Sequence, residues 1–113
     1  LYPYHENLVK TFVDEPRFMD SYVKKPLHGR EGDNIELHTP TQKIVQPGRY
    51  GAEGYVFQEL VEIPNFRDEF GASNYPILGS WVIDGESFGV GIRESDGPIT
   101  DYYCRFVPNI IKD

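Results

Sequence analysis

Short runs in which apolar and polar residues alternate recur along most of this chain, and that period predicts strands. Tyr22 to Leu27, Asn34 to His38 and Gln42 to Val45 are three such runs. Tyr55 to Val61 predicts a well-buried strand, closed by the loop from Pro64 to Gly71. Ile77 to Ile83 and Phe88 to Arg93 flank Asp84-Gly85, a dipeptide suited to the positive φ angles of a type I′ hairpin turn. After the turn Ser95-Asp96-Gly97-Pro98 comes Ile99 to Val107, rich in aromatic and β-branched residues. The beginning departs from this pattern. Leu8 and Phe12 lie four apart with Val9 beside them, which predicts a short amphipathic helix over His5 to Val13, ending before Asp14-Glu15-Pro16. The expected fold class is therefore α+β, mostly antiparallel β-sheet with one or two short helices.

Glycine and charge then mark the segment of greatest chemical interest. Between two of the strand-like runs, Lys24, Lys25 and Arg30 surround Gly29 and Gly32. Glycines let backbone N–H groups approach an anion, and the cations supply the charge a polyphosphate needs. By itself the pattern fits a plain turn better. Lys24 and Lys25 are strand neighbours pointing to opposite faces, so only one of them is expected to face a ligand. The Pro47-Gly48 turn leads into a second glycine-bearing loop, Tyr50 to Gly54, which is expected to be mobile.

The basic cluster stands out against an acidic background: 11 Lys and Arg against 18 Asp and Glu give a net charge of -7 over 113 residues. Such a chain has no general attraction for nucleic acid or an anionic membrane, so neither is an expected partner. The length predicts a single domain. Cys104 is the only cysteine, which rules out an internal disulfide and, with no apolar leader in view, makes a cytoplasmic location the expectation. Because the chain begins at Leu1, it is expected to be a piece of something longer. No repeat or low-complexity tract interrupts it.

Several motifs in order carry a resemblance. Val23-Lys-Lys-Pro-Leu27, Gly29-Arg-Glu-Gly32, Asn34-Ile35, Gly54-Tyr-Val-Phe-Gln-Glu-Leu60, Gly79-Ser-Trp-Val-Ile-Asp-Gly85, Gly89-Val-Gly-Ile-Arg-Glu-Ser95 and Arg105-Phe-Val-Pro-Asn-Ile110 resemble the C-terminal part of glutathionylspermidine synthase-like ATP-grasp ligases. The resemblance spans about Asn7 to Ile110. It implies an enzyme that activates a carboxylate with ATP as an acyl phosphate and lets an amine attack it. In the namesake enzyme the acid is glutathione and the amine spermidine. It also implies ATP and Mg²⁺ as cofactors, small-molecule acid and amine substrates, and the rest of the ATP-grasp domain as a partner; this chain alone is expected to be inactive.

The resemblance assigns roles residue by residue. Lys25 matches the lysine near the nucleotide. Gly29, Arg30, Glu31, Gly32, Asp33 and Asn34 match the flexible loop over the terminal phosphates, with Arg30 suited to a bidentate phosphoryl contact. Members fused to an amidase domain carry a cysteine near Glu31, so this sequence is closer to the amidase-free members. Gln58, Glu59 and Leu60 align with the hinge segment at the adenine edge. Arg93 corresponds to an arginine that reaches the transferring phosphoryl group; read from the residues alone it would pair with Glu94 or another acid. Arg105 reads as structural, and Trp81 and most tyrosines as core or rim.

The metal ligands of such enzymes lie upstream of the part present here, and Asp33 and Asn34 are not assigned in their place. His5, His28, His38 and Cys104 have no zinc-like spacing. A non-catalytic β-rich binding module is the alternative reading. No serine, cysteine or histidine constellation supports a hydrolase.

Overall fold

A computed structural model describes residues 7–112. The chain divides into two compact units, Leu1–Glu62 and Ile63–Asp113. The described residues form nine strands in two antiparallel sheets and no helix.

The first unit holds β1 (Thr11–Val13), β2 (Tyr22–Pro26), β3 (Glu36–His38), β4 (Lys43–Val45) and β5 (Tyr55–Glu59), in the order β1-β5-β2-β3-β4. Registers Tyr22↔His38, Lys24↔Glu36 and Lys24↔Phe57 put Tyr22, Lys24, Glu36, His38 and Phe57 on one face. Val23, Lys25, Leu37, Val56, Gln58 and Thr11 occupy the other. Phe57 and Leu37, both 9% exposed, anchor opposite faces. The rest of β5 is only half-buried, less than its sequence predicts.

The helix expected over His5 to Val13 is not formed in its described part; His5 and Glu6 lie outside the described residues. Thr11–Val13 instead pairs with Val56–Gln58, and the Glu59 N–H donates to the Lys10 carbonyl at 2.8 Å. Two apolar residues four apart give a helix only about one turn of packing. The ladder along β5 and the β-branched Thr11 and Val13 favour the strand.

The second unit holds β6 (Phe66–Arg67), β7 (Ser73–Ile83), β8 (Glu86–Ser95) and β9 (Arg105–Val107), paired in that order. β7 and β8 form a long hairpin around Asp84-Gly85, where φ is 50° and 81°, the two positive angles of the expected type I′ turn. The pairing shifts between Trp81 and Val82, a bulge beyond which Ile83 meets Glu86. Ile99 to Cys104 is not strand: the Asp101 carboxylate accepts the Tyr103 N–H at 2.9 Å and turns the chain before β9. Trp81, expected as core or rim packing, is 65% exposed, and Tyr102 and Tyr103 are exposed too.

Candidate functional site

β2 separates its two lysines as alternation requires, and their surroundings differ in charge. Lys24 Nζ lies 3.0 Å from Glu36 Oε1 and over the Tyr55 ring, 4.0 Å from its centroid. The same carboxylate takes Lys43 at 2.8 Å and His38 Nε2 at 2.8 Å, and His38 stacks on Tyr22. The hydrogen bond from Lys43, helped by Lys24 and His38, outweighs burial and brings the Glu36 carboxyl down to about 2. Lys24 is thus neutralised within a structural ion cluster, and nothing in the sequence spacing of Lys24, Glu36, His38 and Lys43 announced that cluster.

Lys25, on the other face, makes no ion pair among the described residues. Its Nζ donates to Gln58 Oε1 at 2.6 Å, across the β2–β5 pairing. Burial beside Val56 and Val23 disfavours the charged ammonium and lowers its pKa. Gln58 Nε2 donates to Thr11 Oγ1 at 3.1 Å, and that hydroxyl donates to the Val9 carbonyl at 3.2 Å. Lys25 and Gln58, both expected from the resemblance to line a nucleotide site, therefore touch. Thr11 joins them without any motif to mark it.

The loop after β2 is built from two overlapping turns, with Asp33 N–H donating to the Arg30 carbonyl at 3.1 Å and Ile35 N–H to Gly32 at 3.2 Å. Glu31, Gly32 and Asn34 take positive φ of 55°, 80° and 57°. That is why β3 begins at Glu36 rather than Asn34. The Asn34 side-chain amide donates to the Tyr50 carbonyl, so it serves the loop's base. Gly48 packs so closely there that a Cβ on it would sit 2.5 Å from the Asn34 nitrogen. At the tip, Arg30 is exposed and pairs with Glu31 at 2.8 Å, and this contact raises its already high pKa. The Tyr50 to Gly54 loop, expected to be mobile, is tied down by Gly54 N–H to Gly51 and by Leu27 N–H to the Gly54 carbonyl at 3.0 Å.

At the end of β5, the N–H groups of Glu59 and Leu60 are already used, donating to Lys10 and Ser21 carbonyls. Neither is free to meet a ligand. Glu59 also accepts the Lys10 N–H at 3.4 Å through Oε2.

Arg93 lies in the second unit, on β8 between Ile77 and Phe106. It is half-buried and makes no ion pair or hydrogen bond among the described residues. Glu94 points to the opposite face, across from Arg105. Arg105 is held by Asp96 at 2.7 Å and Asn74 at 3.1 Å, a structural clamp. Among the described residues no group of three or more His, Cys, Asp and Glu side chains could hold a metal ion, and no helix is long and apolar enough to cross a membrane.

Comparison with known proteins concerns the chain as a whole. The family described as glutathionylspermidine synthase preATP-grasp matches residues 1–112. A protein of Haemophilus influenzae named "Putative acid--amine ligase" is 32% identical over 118 residues, covering 96% of this chain. Trypanothione synthetase of Crithidia fasciculata is 30% identical over 102 residues, covering 88% of it. The chain spans 29% of the first relative's length and 15% of the second's.

Proposed function

Because the chain belongs to the glutathionylspermidine synthase preATP-grasp family, a family of acid–amine ligases, we propose that it is the nucleotide-binding part of an ATP-dependent carboxylate–amine ligase. In this reading both units are parts of one catalytic domain, the C-terminal portion of an ATP-grasp fold. The substrate carboxylate attacks the γ-phosphorus of ATP, releasing ADP and forming an acyl phosphate. The amine then attacks the carbonyl carbon, loses a proton and expels phosphate. Fixed positive charge is what phosphoryl transfer needs from a protein; the first unit offers Lys25 and Arg30, and the second, taken by itself, offers Arg93. Arg30 would exchange its Glu31 contact for phosphoryl oxygens.

The observation that carries this reading is the unequal state of the two lysines. Lys24 is spent on Glu36, whereas Lys25 is held by a neutral amide and partly desolvated, so its charge is left for an incoming anion. Mg²⁺ would accompany the nucleotide phosphates, and its protein ligands are expected outside this chain. The apolar side chains that the hairpin leaves uncovered, Leu78, Trp81, Val82 and Phe88, are at least 61% exposed. We assign their cover to the rest of the ligase domain, in keeping with relatives several times longer than their matched segment.

The test is equilibrium binding of a non-hydrolysable ATP analogue to the full-length protein. Lys25→Ala should weaken binding roughly 10-fold or more, the worth of a charged hydrogen bond. Lys24→Ala should bind as the native protein does. Equal losses in the two variants, or none in Lys25→Ala, would remove Lys25 from the nucleotide site.

A further inference from the structure

We infer that Thr11 is a positioning residue for nucleotide binding, acting through Gln58 on the Lys25 ammonium. This inference rests on the nucleotide-site reading and adds to it a residue that no motif marks.

The hydrogen-bond chain has a single consistent polarity. A threonine hydroxyl has one proton, and Thr11 directs it to the Val9 carbonyl at 3.2 Å, leaving its oxygen to accept. Only the nitrogen end of the Gln58 amide can fill that role, and it does so at 3.1 Å. The oxygen end must then face Lys25, which as an ammonium can only donate. A lysine has four rotatable bonds and swings freely unless something holds its head. Here the holder is an amide whose own orientation is set one strand further out, at β1. The three residues belong to β1, β5 and β2, neighbours in the sheet, so the relay is fixed to rigid backbone at each link.

Removing the Thr11 hydroxyl leaves the fold in place, since the side chain is exposed and valine is at least as good a strand residue. What changes is the Gln58 amide, which loses the contact that forbids its flip. Lys25 then loses its acceptor for part of the time.

The experiment compares Thr11→Val, Thr11→Ser and Lys25→Ala in the full-length protein, with two readouts. In steady-state kinetics, Thr11→Val should raise the KM for ATP roughly 3- to 10-fold with kcat nearly unchanged, the cost of one neutral hydrogen bond. Thr11→Ser should restore the native value. In trace acetylation of Lys25 across pH, read by peptide mass spectrometry, Thr11→Val should move the midpoint down, because an acceptor favours the charged amine. If Lys25→Ala raises the KM but Thr11→Val changes neither readout, the positioning role falls and the nucleotide site stands. If Lys25→Ala leaves the KM unchanged, the nucleotide reading itself falls and this inference goes with it.

Discussion

If the full-length protein is the ligase proposed above, replacing Arg93 by alanine in it should lower kcat on the order of 10²-fold while changing the KM for ATP little. The expectation follows from where the residue sits and from what it lacks. Arg93 stands on β8, paired on both sides by β7 and β9, so its backbone is fixed before any ligand arrives. Among the described residues no carboxylate or carbonyl engages its guanidinium, so truncation orphans no partner and should leave stability near native. A fixed cation without a protein partner acts most strongly where charge accumulates, on the equatorial oxygens of the phosphoryl group in flight. Arg93→Lys keeps the charge but not the planar fork, and should recover part of the loss. Steady-state kinetics on the three proteins decides the matter: normal turnover in Arg93→Ala would make the residue a spectator.

A second large effect is expected at Gly48. Its added Cβ would lie 2.5 Å from the Asn34 nitrogen, 2.5 Å from the Asp33 Cβ and 2.7 Å from the Asp33 carbonyl carbon. Two of these are backbone atoms in a loop already held by the Asn34 contact to Tyr50 and by the Gln46 N–H to Ile35. The strain cannot be relieved by turning a side chain. Gly48→Ala should therefore cost about 2–3 kcal/mol, as overpacking does, and should displace the Gly29 to Asn34 loop from its seat. Gly91→Ala, whose Cβ meets nothing within 4 Å, should change stability by less than about 0.5 kcal/mol. Urea unfolding of both variants measures the contrast, and equal midpoints would mean that the loop base yields easily.

The two positions also show what a sequence can reveal. The hairpin was readable because Asp84-Gly85 states its own turn geometry, and the split of Lys24 from Lys25 was readable because strand alternation is local. Neither needs knowledge of a distant residue. Thr11 to Val13 was misread as helix because its strand identity comes from β5, more than forty residues away. Glu36 drew no notice because its two lysines come from β2 and β4, and only the register brings them to it. Gly48 read as an ordinary Pro-Gly turn; its contact with Asp33 and Asn34 is a matter of tertiary packing. Trp81 and its neighbours have the apolarity of core residues, but none of the described residues of their unit covers them. The sequence is similarly silent on the Glu59 and Leu60 N–H groups, which β-pairing uses up.

Hydrogen exchange on the full-length protein, with and without a non-hydrolysable ATP analogue and Mg²⁺, tests most directly whether this segment holds nucleotide. The account predicts that amides from Gly29 to Asn34 and those around Gln58 gain protection together, because the loop closes on phosphate while the strand carrying the Lys25 anchor is stabilised. The distal end of the Asp84-Gly85 hairpin should be unchanged. Protection confined to segments outside residues 7–112, with these amides exchanging equally in both samples, would contradict it.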